Sequence, residues 1–106
     1  MSNRKTKHRK AFEEFAEKAQ EDLGDSLKKL VLYGSVARGE ESEGSDVDVF
    51  AVVEEGLEDE LYSLAAKAGR KHEVHLAVIV RNPEEYELVR DSYFTREVME
   101  SGEAVI

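Results

Sequence analysis

The 106-residue chain contains no cysteine, and no apolar run approaches the roughly 20 residues that a membrane-spanning helix requires. Without cysteine, a disulfide framework and a thiolate metal site are both excluded. The N-terminus also lacks the apolar segment of a signal peptide. From these absences we expect a cytoplasmic protein that makes no contact with a membrane. A chain of this length forms one domain with a small core.

Positive charge is also scarce, because 15 basic residues stand against 24 acidic ones, a net charge of −9. Five of the basic residues lie within residues 1–10, so the other 96 residues carry a net charge of −14. Such a surface repels phosphates, and nucleic acid is therefore not an expected partner. We predict that residues 1–8 form a flexible basic tail and that residues 9–106 form a single domain.

Apolar periodicity predicts the order of the secondary structure. Helical spacing indicates helices over residues 9–23, 57–69, 83–90 and 92–102, and a short helix after Gly34. Apolar runs predict strands over residues 27–33, 47–53 and 73–80, with a short edge strand at 104–106. Asn82-Pro83-Glu84-Glu85 is a strong helix start, with a polar N-cap, a proline and a glutamate in the first turn. The fold class is therefore α/β (α+β), with helices packed on a small sheet of three to four strands.

Two short motifs lie where predicted strands end and begin. Gly34-Ser35 follows the first strand, and Asp46-Val47-Asp48 opens the second after a gap of ten residues. Side chains alternate along a strand, so the two aspartates should share a face, with Cα atoms about 7 Å apart. Paired carboxylates can hold Mg²⁺, and a Gly-Ser turn into a helix offers free N–H groups to phosphate. The structural alternatives are a polar loop exit and an ordinary tight turn.

These motifs resemble the signature of the DNA polymerase β-like nucleotidyltransferase superfamily, with Ala37-Arg38-Gly39 inside the gap. At this chain length, the sequence resembles the minimal nucleotidyltransferase (MNT) proteins. The closing Phe94-x-Arg96-x-Val98-x-x-x-Gly102 is similar to the last helix of those proteins. The resemblance implies the nucleotidyltransferase fold, with a mixed sheet. A Walker-type phosphate loop is excluded, since Glu40-Glu41 stands where lysine and serine or threonine are required.

The resemblance also assigns roles to residues. Asp46 and Asp48 would be the catalytic residues and the ligands of Mg²⁺, while Gly34, Ser35 and Arg38 would bind the phosphates of a nucleoside triphosphate. Arg38 could equally be a surface arginine paired with an adjacent glutamate. The implied reaction is transfer of a nucleoside monophosphate, AMP from ATP in our interpretation, to a hydroxyl group on a partner, with release of pyrophosphate.

One position departs from the family pattern. A third carboxylate usually stands at the start of the third strand, where this chain has His75. Glu73, two residues earlier, would face the same way on the predicted strand. Three alternatives remain: Glu73 substitutes, His75 binds metal or accepts a proton, or the third ligand is missing. The last would leave a weak enzyme, or an inactive nucleotide-binding module that neutralises its partner by binding alone.

The acceptor must come from elsewhere, because 106 residues leave no second domain to hold it. The resemblance implies a four-helix HEPN protein, the toxin of a toxin–antitoxin pair in which the MNT protein is the antitoxin. A second copy of this chain is another expected partner. Transfer to a small molecule such as an aminoglycoside is a third alternative, and the shortness of the chain argues against it.

Overall fold

A computed structural model describes residues 5–106 of the chain. Within this range, the chain forms five helices and four strands in the order α1 (Lys7–Leu23), β1 (Leu27–Tyr33), α2 (Gly34–Arg38), β2 (Val47–Val53), α3 (Glu58–His72), β3 (Leu76–Arg81), α4 (Pro83–Val89), α5 (Tyr93–Ser101) and β4 (Glu103–Ala104). A single 3₁₀ turn, Gly24–Ser26, joins α1 to β1. Among these helices, none combines the length and the apolar character needed to cross a bilayer.

The four strands form one mixed sheet in the order β3-β2-β1-β4. Strand β1 is antiparallel to both β2 and β4, and β2 is parallel to β3. A parallel pair needs a crossover connection, and α3 provides it. The predicted α/β (α+β) class and the small mixed sheet are therefore confirmed.

Helices cover the two faces of the sheet, and β2 contributes buried side chains to both. Val49 and Ala51 belong to the larger core, under α1 and α3, which also contains the predicted apolar stripe of α1. Phe50 points the other way and joins Val31 and Val98 in a smaller core under α4 and α5. Because β2 is buried on both sides, its sequence reads as a continuous apolar run after Asp48.

Local sequence signals set several helix ends where we predicted them. The Asn82 side chain accepts a hydrogen bond from the Glu85 N–H at 2.8 Å, and the Glu85 carboxylate accepts one from the Asn82 N–H at 2.9 Å. This capping box satisfies two N–H groups that would otherwise have no partner in the first turn. Ser92 caps α5 in the same way, accepting from the Thr95 N–H.

The structure shows that the predicted N-terminal tail, residues 1–8, extends too far along the chain. Helix α1 begins at Lys7 rather than at residue 9, and the side chain of His8 is buried, with 3% of its surface exposed. The Thr6 hydroxyl caps the helix by accepting from the Arg9 N–H at 3.1 Å, which satisfies one first-turn donor. The rest of the predicted tail, residues 1–4, lies outside the described residues.

The structure also moves the start of the third strand. Helix α3 continues to His72, and Glu73 adopts a left-handed conformation with φ of 58°. The Val74 N–H then donates to the Gly69 carbonyl at 3.0 Å and closes the helix end, so β3 begins only at Leu76. The predicted strand over residues 73–80 was too long at its N-terminal end, and Glu73 does not share a strand face with His75.

Candidate active site

The end of β1 and the start of β2 lie side by side. In the antiparallel register, Tyr33 pairs with Asp48. The turn that follows Tyr33 is therefore adjacent to the first residues of β2, although the connecting segment between them is long. Strand pairing brings the Gly-Ser motif and the two-aspartate motif into one site.

Gly34 makes the closest approach between the two motifs. Its φ of +79° lies in the left-handed region, and a Cβ placed on it would overlap the carboxylate of Asp48. Only glycine combines this backbone conformation with this absence of bulk. Helix α2 starts at Gly34, and the side chain of its N-cap residue Tyr33 makes no capping hydrogen bond. The missing Cβ thus lets the Asp48 carboxylate pack directly against the start of the helix.

Asp48 is half-buried beneath this turn. Burial raises the pKa of the Asp48 carboxyl above its ordinary value, and the nearby negative charge of Asp46 raises it further. The positive charge of Arg38 opposes this shift, as does His75 when it is protonated. Four of the residues singled out from the sequence therefore lie within electrostatic range of one another.

The side chains of Tyr33 and Phe94 pack against each other next to the site. Their rings meet edge to face, with centroids 5.7 Å apart and planes at 83°. Burial raises the pKa of the Tyr33 hydroxyl, and the negative charge of Asp48 adds to the effect. Both causes arise because Tyr33 lies between the core and the Asp48 carboxylate. Tyr33 is therefore part of the site as well as of the core.

Asp46 lies just before β2 and is exposed. The Val47 N–H donates to the His75 carbonyl at 2.9 Å, which fixes the backbone of His75 beside that of Asp46. The His75 Nδ1 atom lies 3.5 Å from the Asp46 Oδ1 atom, and both side chains are more than half exposed. His75 therefore stands next to Asp46, at the position where the resemblance implies a carboxylate.

Ser35 and Arg38 lie on α2. The Ser35 carbonyl accepts from the Glu40 N–H at 2.8 Å, and its side chain is half-exposed next to Gly34. The Arg38 Nε atom donates to the Glu40 Oε1 atom at 2.9 Å, so the alternative of a surface pair is present in the structure. Arg38 is nevertheless close enough to Asp48 to influence its pKa.

The donor set fits Mg²⁺ bound together with a nucleotide. Within residues 5–106, no three His, Asp or Glu side chains form a cluster that could hold a metal by themselves. Mg²⁺, however, is usually bound by one or two carboxylates, with phosphate oxygens and water completing its shell. The repulsion between Asp46 and Asp48 is what a divalent cation would relieve, and the close approach of Gly34 places the start of α2 beside the Asp48 carboxylate.

Asp46 also lines a cleft of about 640 Å³. Tyr62, Ala66 and Arg70 of α3 form one wall of this cleft, and Asp46 and His75 line it as well. No pattern in the sequence predicted this wall, because the exposed face of α3 carries no motif. Only the packing of α3 beside β3 and the α2–β2 connection creates the cleft.

A family model for the nucleotidyltransferase domain matches residues 8–105. The chain belongs to the nucleotidyltransferase domain family. The resemblance drawn from Gly34-Ser35 and Asp46-Val47-Asp48 is thereby confirmed at the level of the family, and the protein is an enzyme of the nucleotidyltransferase class.

This nucleotidyltransferase is 32% identical over 93 residues to the Methanocaldococcus jannaschii protein named "Putative protein adenylyltransferase MJ0604", covering 88% of this chain and 92% of the relative. Two solved structures share the fold, each with a TM-score of 0.57. One is a toxin–antitoxin with AMP-PNP, at 19% identity, covering 87% of this chain and 70% of that one. The other is a mutant MntA–HpeT toxin–antitoxin, at 17% identity, covering 86% and 69%.

Replacing Gly34 should lower the unfolding free energy of this nucleotidyltransferase by more than the strain of a left-handed backbone alone. Gly34→Ala adds left-handed strain and an overlap with Asp48, whereas Gly39→Ala, with φ of +71° and nothing within 4 Å, adds the strain alone. We expect Gly39→Ala to cost about 1 to 2 kcal/mol of unfolding free energy and Gly34→Ala clearly more. Denaturant titration of both variants measures this. Equal losses would show that Gly34 does not press against Asp48.

Asp48→Asn should stabilise the metal-free protein. The pKa of Asp48 is raised in the folded chain, so its ionised form lowers the free energy of unfolding at every pH above the folded pKa. This cost declines as the pH falls and vanishes below the unfolded pKa, about 3.9. In EDTA, the variant should therefore melt higher than the parent at pH 7, with a gap that narrows toward pH 4. Asp22→Asn, which neutralises an exposed carboxylate of α1, is measured beside it; a parent that melts higher than Asp48→Asn at pH 7 would contradict the assignment.

Proposed function

We propose that this nucleotidyltransferase transfers AMP from Mg–ATP to a hydroxyl group of a partner protein. The acceptor oxygen forms a bond to the α-phosphorus, the bond from that phosphorus to its bridging oxygen breaks, and pyrophosphate leaves. The hydroxyl proton passes to solvent, which reaches the site because the side chains of Asp46 and His75 are both exposed. The observation that carries this proposal is the close approach of Gly34 to the Asp48 carboxylate, which joins a phosphate-type turn to an acidic pair.

Each half of the site has a distinct task in this proposal. Asp46 and Asp48 would hold Mg²⁺, which would neutralise phosphate charge and polarise the reacting phosphoryl group. Gly34 lets the nucleotide approach the backbone, and the Ser35 hydroxyl and N–H groups of α2 contact phosphate oxygens. Arg38 exchanges its exposed contact with Glu40 for a contact with phosphate, a stronger partner for a guanidinium group.

The acceptor enters along the cleft between α3 and Asp46. The carboxylates of Glu43, Asp46 and Glu73 line this cleft, whereas Arg70 contributes one positive charge. This excess of negative charge makes the cleft unfavourable for a triphosphate. Its open end beside Asp46 is suited to an acceptor side chain arriving from another protein. Glu73 lies outside β3, and His75 occupies the usual carboxylate position, so we assign metal binding to the two aspartates alone.

A protein acceptor is supported by the name of the Methanocaldococcus jannaschii relative, which the chain matches over almost its whole length. Two neighbours of the same fold come from toxin–antitoxin complexes, one of them with an ATP analogue. We therefore propose a HEPN-type four-helix toxin as the acceptor, with this chain as the antitoxin. Addition of AMP places bulk and negative charge on the acceptor side chain, which would disable a neighbouring site.

The test is transfer of label to the protein that co-purifies with this chain. ATP labelled at its α-phosphate should mark the partner in the presence of Mg²⁺, and ATP labelled at its γ-phosphate should not. Asp46→Asn should reduce labelling a hundredfold or more, equivalent to about 2.7 kcal/mol of transition-state stabilisation.

Glu73→Gln is the matched control for that experiment, since it removes a nearby carboxylate that we place outside the metal site. It should label the partner at a rate close to that of the parent. A hundredfold loss in Glu73→Gln would instead identify Glu73 as the third carboxylate. Binding of Mg–ATP without any transfer of label would show a binding module in place of an active enzyme.

A second test addresses the acceptor side. Ala66 is exposed on the wall of the cleft, so Ala66→Trp should fill the cleft and reduce transfer to the partner at least tenfold. Affinity for Mg–ATP, measured by calorimetry, should not change. Ser63→Trp places the same bulk on α3 outside the cleft and should retain transfer. If Ala66→Trp weakened Mg–ATP binding and did not change how the transfer rate depends on the partner concentration, the cleft would be the nucleotide-binding site.

A further inference from the structure

The connection between α2 and β2, residues 39–46, links the two halves of the site and ends in Asp46. It contains one internal turn, in which the Ser45 N–H donates to the Ser42 carbonyl at 3.1 Å and the Ser42 N–H donates to the Ser45 hydroxyl at 2.9 Å. Most of its side chains are exposed. Contacts from outside the connection must therefore contribute to its position relative to Gly34-Ser35.

The first turn of α1 supplies such contacts. The Thr6 hydroxyl donates to the Glu41 carboxylate at 2.6 Å, and the Lys7 ammonium group pairs with the Glu43 carboxylate. Thr6 also caps α1 through its lone pair, so its hydroxyl is used both as donor and as acceptor. The two carboxylates stand at the positive end of the α1 dipole, where negative charge is favoured. We call the contacts of Thr6 and Lys7 with Glu41 and Glu43 the α1 clamp.

Two further observations agree with this arrangement. The hydrogen bond from Thr6 is the main cause that lowers the pKa of the Glu41 carboxyl, with smaller contributions from neighbours that include His8 and Arg9. Arg9 reaches α2 itself: its Nη2 atom donates to the Val36 carbonyl at 3.3 Å, while its Nη1 atom pairs with Glu103 at 2.7 Å. The start of α1 is thus tied to the helix before the connection and to the connection itself.

We propose that the α1 clamp is a positioning device for nucleotidyl transfer, which holds the connection so that Asp46 faces the Gly34-Ser35 turn. This inference rests on the proposed roles of those residues. Thr6 and Lys7 lie outside the residues to which we assign metal and phosphate binding, and they act through the connection. Each exposed contact alone contributes little. Several contacts join the same segments, however, and an aspartate displaced by a fraction of an ångström loses much of its effect on transfer.

The test uses a double variant, Lys7→Ala with Glu41→Ala, which opens both contacts and keeps Thr6 as the cap of α1. The matched control is Lys5→Ala with Glu13→Ala, which removes an exposed ion pair of 2.8 Å between the residue before the N-cap of α1 and the helix itself, without touching the connection. Hydrogen exchange of residues 40–46, affinity for Mn²⁺ alone, and the rate of label transfer are measured for both. Lys7→Arg with Glu41→Gln, which keeps a donor and an acceptor, tests rescue.

We expect the clamp variant to melt close to the parent and to exchange about tenfold faster over residues 40–46. Its affinity for Mn²⁺ should fall several-fold and its transfer rate about tenfold. The control should match the parent, and the conservative variant should recover most of the loss. Unchanged exchange, or faster exchange with parental Mn²⁺ affinity and rate, would overturn the proposal. Exchange does not depend on the metal, so it separates failure of the clamp from failure of the metal site.

Discussion

The site depends on one steric constraint, the contact between Gly34 and the carboxylate of Asp48. The pairing of Tyr33 with Asp48 fixes this contact, because it places the last residue of β1 opposite the second residue of β2. A side chain on Gly34 would push the two motifs apart. The position of Ser35 and the start of α2 both follow from this approach.

The same contact creates an electrostatic cost. Asp48 is half-buried, and Asp46 brings a second negative charge close to it in a protein whose net charge is already −9. Arg38 and His75 offset only part of the repulsion, and both are also exposed to solvent. Under the proposed function, a cation bound by the two carboxylates would offset this cost, and unfavourable local arrangements of this kind are typical of functional sites.

Elements that carry no recognisable motif complete the site. Helix α3 contributes a wall of the cleft beside Asp46, and its last turn leads into the segment that holds His75. Helix α1, packed on the same face of the sheet, reaches the α2–β2 connection through Thr6 and Lys7. Both helices also build the larger core, so the packing that stabilises the fold sets the surroundings of the two aspartates.

The sequence by itself determined the features that depend on neighbouring residues: the apolar stripe of α1, the strand over residues 47–53, the Asn82 capping box and the spacing from Ser35 to Asp46. Tertiary structure decided where Glu73 stands, because a left-handed glutamate at a helix end has no signature comparable to glycine. It also decided that Thr6 meets Glu41, and that α3 lines the cleft. Those contacts join residues far apart in the chain, and local periodicity carries no information about which distant surfaces will meet.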